Sequence, residues 1–309
     1  MHKPVPTLAT ALFLLAFVGG CDQAANGDDK PKSGEGRKRD KDSDAKPAQK
    51  FKLGRITHKA ISESSGIVAS RKHPGVFWTH NDSGNGPFLF AITREGSLVA
   101  EYPVGSSARN NDWEAISTDD EGHLYIADIG NNDLKRDRIL VYRVDEPDPS
   151  TAGKRGKGPT LKVNQVLRLK YPDKPFDAES FFVFKARGYV ISKQINGKNA
   201  SVYGFDLAAG GAEPAALQHV CDLPLRSPVT DAAISADGQR LAVMTVTGPN
   251  LFQINGDVAA AAKAQPASVT YFDFKDMNME GVTFVEEGLL ATTEEGQMLL
   301  FGNDQFGGK

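Results

Sequence analysis

A short acidic or polar motif recurs five times, short β-rich segments alternate with turn signals, and one strand-like segment precedes the first copy. Together these predict an all-β chain folded as a β-propeller of five four-stranded blades. The copies are Glu63-Ser64-Ser65-Gly66-Ile67, Asp112-Trp113-Glu114-Ala115-Ile116, Asp177-Ala178-Glu179-Ser180-Phe181, Thr230-Asp231-Ala232-Ala233-Ile234 and Asn278-Met279-Glu280-Gly281-Val282. Aligned on the closing apolar residue, they are spaced by 49, 65, 53 and 48 residues. The long step is explained by a Pro/Gly/Lys-rich stretch, Asp145 to Pro159, expected as a surface loop. A sixth, degenerate blade inside 145–175 is the alternative count. A β-sandwich is the rival fold, but it predicts no motif at this period.

Each copy opens the first strand of a blade. Second strands follow at Val76-Phe77-Trp78-Thr79, Leu124-Tyr125-Ile126-Ala127, Tyr189-Val190-Ile191-Ser192, Leu241-Ala242-Val243-Met244 and Leu289-Leu290-Ala291-Thr292. Third strands are expected at Phe88 to Thr93, Ile139 to Val144, Ser201 to Leu207, Asn250 to Ile254 and Met298 to Phe301. A helical pattern is confined to Val258 to Lys263. The last copy stops after three strands, and Phe51 to Ile56 has no copy of its own. Placing that segment as the fourth strand of the last blade closes the ring and removes exposed sheet edges.

The preceding residues are a different material. Met1 to Lys3 is basic, Thr7 to Val18 is an apolar run of 12 residues, and Val18-Gly19-Gly20-Cys21 follows. The run has the length of a signal segment and is too short to span a bilayer. Residues 1–20 are therefore expected as a signal peptide. The ending resembles a bacterial lipobox, which implies lipidation of Cys21 and a chain anchored in a membrane after export, at the inner-membrane periplasmic side, the outer membrane or the cell surface. From Asp22 to Lys50 there are 7 acidic and 8 basic residues and no aliphatic or aromatic residue larger than Ala. Residues 21–50 are expected as a solvated tether carrying the lipid, and 51–309 as the propeller. The second cysteine, Cys221, lies in a strand-like alternation and is expected to pack as a small hydrophobe. The propeller carries 27 basic and 32 acidic side chains, which argues against nucleic-acid binding through positive charge. A monomer is expected.

The segment entering each first strand lies at one rim of a propeller's channel. Residues two apart in an extended segment point the same way, so Asp112 and Glu114 face together, as do Asp177 and Glu179. Glu63, Asn278 and Glu280 fall at equivalent positions, with Asp231 one residue out of register. Loops leaving the second strands bring His80, Asn81, Asp82, Asp128, Asn131, Asn132, Lys193, Glu294 and Glu295 to the same rim. An oxygen-rich acidic mouth results. Its carboxylates would repel one another unless donors or a cation stood among them, and such oxygens suit Ca²⁺ before Mg²⁺. The opposing reading is structural, with Asp and Asn capping strands between blades.

Glu63-x-Ser-Gly, Trp78-Thr-His-Asn-Asp82-Ser-Gly, Asp112-Trp-Glu114-Ala-Ile and Tyr125-Ile-Ala-Asp128-Ile-Gly-Asn-Asn132 resemble a family of exported bacterial β-propeller proteins. That family is akin to SdiA-regulated, phytase-like and gluconolactonase/paraoxonase-like propellers, and the resemblance spans about residues 60–146. It implies Ca²⁺ held by Glu63, Asn81, Asp82, Asp112, Glu114 and Asp128, to which the repeat adds Glu280. It also implies hydrolysis of a lactone, ester or phosphoester at the channel. In such an enzyme Glu114, Glu179 or His80 would be the general base, and Arg109 or Lys193 would stabilise developing negative charge. The nucleophile motifs G-x-S-x-G, H-E-x-x-H and the P-loop are absent from the sequence. The rival reading is a non-catalytic module that presents its rim to an envelope protein or glycan, because fold does not decide function.

Overall fold

The computed structural model describes residues 50–153, 156–209, 213–271 and 278–307. The segments expected as signal peptide and tether, with Cys21, fall in residues 1–49, outside the described residues. Residues 45–309 form one compact unit.

Strand β1 (Lys52–Arg55) stands apart in sequence from the blade it completes. Blade 1 holds β2 (Ser64–Ala69), β3 (Phe77–Asn81), β4 (Phe88–Ile92) and β5 (Leu98–Pro103). Blade 2 holds β6 (Trp113–Thr118), β7 (His123–Asp128), β8 (Arg138–Asp145) and β9 (Val163–Lys170). Blade 3 begins with β10 (Ala178–Phe184), β11 (Arg187–Ser192) and β12 (Ser201–Asp206). The two-residue β13 (Ala215–Ala216) then runs parallel to β9 at the outer edge of blade 2, and β14 (Gln218–Asp222) completes blade 3. Blade 4 is β15 (Val229–Ile234), β16 (Arg240–Thr245), β17 (Gly248–Gln253) and β18 (Ala267–Ser268). Blade 5 is β19 (Met279–Val285), β20 (Gly288–Thr293) and β21 (Gln297–Gly302), closed by antiparallel pairing of β1 with β21. The chain is thus a five-bladed propeller whose ring is shut by its own first strand.

Blade 2 accounts for the stretch that could have hidden a sixth blade, because β9 is its fourth strand. The expected surface loop after β8 is also tied down. Gly158 and Leu161 donate backbone N–H bonds to Glu101 and Pro103 of β5, at 2.8 Å each, so the segment straps blade 1 to blade 2. The helical pattern near Val258 is a 3-10 turn, Val258–Ala262, capped by the Asp257 side chain.

Both faces of the middle strands are apolar because each blade packs against two neighbours. The buried apolar residues fall into five groups, each between adjacent blades. Between blades 1 and 2 lie Trp78, Tyr102, Trp113 and Tyr142, and Trp78 Nε1 donates to Glu146 at 2.7 Å. Phe51, just before β1, packs on Phe301 and Tyr271 between blades 4 and 5, so the closing segment contributes core as well as hydrogen bonds. Cys221 is buried between blades 3 and 4, and burial pushes its thiol up to about 11, as a packing role requires.

The inner strands β2, β6, β10, β15 and β19 neighbour one another around the channel. A Cβ on Gly281 would lie 2.9 Å from the Ile67 nitrogen, and one on Gly66, whose φ is +68°, would lie 3.0 Å from the Ala115 Cα. Glycine at these positions lets the first strands of blades 5, 1 and 2 close tightly on the axis.

Candidate functional site

Every inner strand slips register near its start. The residue without a partner on the second strand is Gly66, Glu114, Glu179, Thr230 or Glu280 in blades 1 to 5. A bulge re-aims the extra side chain and ends regular pairing, and here it turns three glutamates toward one mouth. The fourth copy is corrected by this register. Thr230, not Asp231, occupies the glutamate position, and Ala232 rather than Ile234 matches the closing residue of the second, third and fifth copies. In the first copy Gly66 takes the glutamate position, Val68 rather than Ile67 the closing one, and Glu63 falls one residue before the place equivalent to Asp112.

Asp82, the first residue after β3, joins Asp112 and Glu114, and one carboxylate oxygen from each lies within 4.8 Å of the others. Glu114 is only 4% exposed, yet its carboxylate accepts no hydrogen bond from a described residue. Around this trio stand Asp177, Glu179, Glu280 and Glu294, with Lys193 hydrogen-bonded to Glu179.

The electrostatics follow from crowding in a desolvated place. Burial, and then Glu179, Asp82, Asp112 and Glu280, hold Glu114 well above the usual carboxylate range. Burial and the Asp82 charge push Asp112 up to about 6, against the pull of Arg136. Burial pushes Glu179 up to about 7 even with Lys193 bonded to it. Glu280 is raised by burial and by Glu179, and Asp82 by burial and by Glu63 and Glu294. Burial depresses Lys193, but Glu179 overrides it and the ammonium is held more firmly than usual.

Other residues read as ligands or catalysts take different places. Asp128 is fully buried and already engaged: it accepts from Asn111 Nδ2 at 2.7 Å and the Asp112 nitrogen at 3.2 Å, and pairs with Arg136 at 2.8 Å. It holds the strand that presents Asp112. Asn81 spends its amide on the Ala60 carbonyl at 2.7 Å and the Glu63 nitrogen at 3.3 Å. Glu63 is exposed at the edge, accepting from Asn85 Nδ2 at 2.8 Å. His80 belongs to β3 itself, wholly buried with its ring edge-on to Trp113, and burial pulls it down to about 4. Arg109 is exposed, and its guanidinium pairs with none of the described residues. Asp231 points into the channel and accepts from the Val282 nitrogen at 2.8 Å.

Two parts of the site were silent in the sequence. Arg136, from the loop after β7, donates to the Gly130 carbonyl at 2.7 Å and the Asp128 carbonyl at 2.9 Å, fixing the loop behind the carboxylates. Gly130 faces them: a Cβ there would lie 2.3 Å from both Asp112 Oδ2 and Glu114 Oε1. Gly130→Ala must therefore push these oxygens apart, and it is expected to weaken Ca²⁺ binding at least tenfold in calorimetric titration while the far-ultraviolet circular dichroism is unchanged. Undiminished affinity would show that the two oxygens do not share an ion. A second acidic trio, Asp119, Glu121 and His123, sits at the β6–β7 turn. There Asp119 is satisfied by the Glu121 and His123 nitrogens, the His123 ring and the Tyr125 hydroxyl, which is the bonding of a capped turn.

No protein-family model matches the sequence, and no curated protein matches it. Solved structures similar to the chain include the hydrazine synthase of Kuenenia stuttgartiensis (14% identity, TM-score 0.41), covering 77% of this chain and 57% of that one. A nidogen/laminin complex follows at 11% identity and TM-score 0.43, covering 75% of this chain and 73% of that one. The Pan2 WD40 domain of Neurospora crassa has 10% identity and TM-score 0.38, covering 80% and 65%. The chain thus spans less than two thirds of the first and third of these. The fold rests on the sheet order alone.

Proposed function

We propose that this chain is an exported, lipid-tethered propeller that binds Ca²⁺ at its acidic mouth and hydrolyses a lactone, ester or phosphoester there. One observation carries the reading: three carboxylate oxygens of Asp82, Asp112 and Glu114 converge within 4.8 Å, and the buried Glu114 has no donor of its own. A hard divalent cation supplies what this arrangement lacks. Asp82, Asp112 and Glu114 would hold it, with Glu280 near enough to feel their charge. Bound Ca²⁺ would polarise the carbonyl or phosphoryl oxygen of the substrate.

The chain's own residues supply the rest. Glu179, with its carboxyl near 7, is poised at neutral pH to take a proton from water as the water oxygen bonds to the carbonyl carbon. Lys193, bonded to Glu179, faces the negative charge that develops. The C–O bond of the ester or lactone then breaks, or, in a phosphoester attacked at phosphorus, the P–O bond, and the alcohol leaves with the proton returned from Glu179. His80 and Arg109 have no part in this scheme, because one is sealed in the core and the other stands in solvent.

The test is a panel of lactones, 4-nitrophenyl esters and a 4-nitrophenyl phosphodiester with residues 45–309 in Ca²⁺. Turnover is expected, lost with chelator and with Glu114→Gln, and reduced at least about a hundredfold in kcat by Glu179→Gln. Turnover that survives Glu114→Gln, or none across the panel, would overturn the hydrolase reading. In the latter case an intact Ca²⁺ response would favour the binding module. Export and anchoring rest on residues 1–21, and metabolic labelling with palmitate is expected in the full chain and not in Cys21→Ser.

A further inference from the structure

Beside the acidic mouth, between the loops that follow β7 and β11, lies a cavity of about 480 Å³. Its floor is Pro175 and Phe176, and its walls include Leu134 and Ile195. Phe176 is held rigid, stacked on Tyr203 at 4.6 Å and edge-on to Tyr171 at 4.9 Å, so this wall is preformed. Leu134 and Ile195 are 53% and 80% exposed, two of the four large hydrophobics left in solvent among the described residues. Exposed apolar side chains cost nothing singly, but two facing an aromatic floor across a cavity of ligand size need a reason.

The polar end of the cavity supplies one. Asp177 and Lys193 line it, and the same Lys193 bonds Glu179 and stands within the field of Glu280. The cavity therefore opens onto the carboxylates through its cationic residue. A molecule filling it would place an apolar group against Phe176, Leu134 and Ile195 and an oxygen-bearing head toward Lys193 and the mouth.

We propose that this cavity is the apolar subsite of the substrate, and that it takes the acyl chain of a small neutral ester or lactone. The inference rests on the hydrolase reading for the word substrate, but the subsite itself is defined by geometry independent of the cation. Asn132, Gln194 and Asn196 complete the lining, beside the apolar surface of Pro175, Phe176, Leu134 and Ile195. An acyl chain would lie against Pro175, Phe176, Leu134 and Ile195 with its carbonyl toward Lys193. The mouth supplies chemistry and the cavity selects by chain length.

Two measurements separate the subsite from the reaction. The first is fluorescence binding of the neutral probe N-phenyl-1-naphthylamine to residues 45–309, whose ring closes on its own strand, with and without chelator. Saturable binding is expected, equal in both conditions. It should weaken at least tenfold in Ile195→Asp, a change in a solvent-exposed loop that the fold tolerates, and in Phe176→Ala, but not in Val99→Asp on the outer strand of blade 1. The second is kcat/KM for 4-nitrophenyl esters from acetate to octanoate. Each buried methylene is worth roughly fourfold in kcat/KM, so a rising series is expected in the native protein and a flat one in Ile195→Asp.

Absence of probe binding, or binding indifferent to Ile195→Asp and Phe176→Ala, overturns the subsite even if Ca²⁺-dependent turnover is found. Probe binding that responds to both variants, in a protein that turns over no ester, upholds the subsite and overturns the reaction. A flat ester series in the native protein overturns the assignment of the subsite to an acyl chain.

Discussion

Metal-free protein in which Asp112 is changed to Asn and Glu114 to Gln is expected to melt higher than the native protein at about pH 7.5 and to ignore Ca²⁺. The direction follows from the shifts at the mouth. Glu114, Glu179, Glu280 and Asp112 all bind protons more tightly in the folded chain than in the unfolded one. Stability from such groups is complete below their unfolded values and is lost as pH rises through the folded ones, about 6 for Asp112 and about 7 for Glu179. Without a cation, the native propeller should therefore weaken between about pH 4 and 7.5. His80 acts in the opposite sense, since it stays neutral in the core down to about 4 and its contribution is lost as pH falls. It is common to both proteins and cancels in the comparison.

Ca²⁺ reverses the loss by making ionised carboxylates the favoured state. At a hundredfold excess over its dissociation constant a ligand stabilises by about 2.7 kcal/mol, which for a chain of this size is a shift of about 5–10 °C in Tm. Protons compete for the same oxygens, so the shift should shrink toward zero near pH 5. Thermal melts at both pH values, in chelator and in excess Ca²⁺, decide the matter. If the double variant melts lower than the native protein in chelator at the higher pH, or if both proteins respond equally to Ca²⁺, the mouth is architectural.

How far the sequence revealed this site depended on what kind of contact was involved. The alternation of extended chain was enough to put Asp112 with Glu114 and Asp177 with Glu179, because direction along a strand is local. The period was enough to add Glu280, and the three-strand final copy was enough to seat β1 in blade 5. The bulges were not legible: their effect is a two-residue shift in the fourth copy, where Thr230 stands in the glutamate place and the pattern offers Asp231 instead. Nor was the depth of His80, which depends on β3 running two residues further than the apolar run suggests. Asp128 has the right chemistry for a ligand, but its partner Arg136 comes eight residues later from a loop with no signal of its own. Gly130 could be read only as a turn residue, although it is the space it leaves empty that lets Asp112 and Glu114 meet. The apolar cavity was likewise silent, being assembled from three separate loops.

Asp231→Ala is expected to be the most destabilising single change at the channel. The carboxylate of β15 reaches out of blade 4: Oδ2 accepts from the Val282 nitrogen of blade 5 at 2.8 Å, and the backbone N–H groups of Ala232 and Ile67 also face it, the latter from blade 1. Oδ1 has no bond of good geometry. Burial, the largest influence, raises the carboxyl well above its ordinary range against the pull of these donors. The residue is only 1% exposed, so water cannot replace it for the groups it serves. Each buried donor left unsatisfied costs about 1–3 kcal/mol. The alanine variant should therefore lose about 3 kcal/mol or more by urea denaturation. Asp231→Asn keeps an acceptor for Val282 and should retain most of that stability, which distinguishes a lost bond from a lost shape. An alanine variant within about 0.5 kcal/mol of the native protein would mean that the inner strands hold themselves by packing alone. The site should register the loss too. Val282 lies two residues after the Glu280 bulge, so freeing it from blade 4 loosens the glutamate that blade 5 presents to the mouth. Ca²⁺ affinity is expected to fall in Asp231→Ala and to stay near the native value in Asp231→Asn, coupling the closure of the ring to the geometry of the carboxylates.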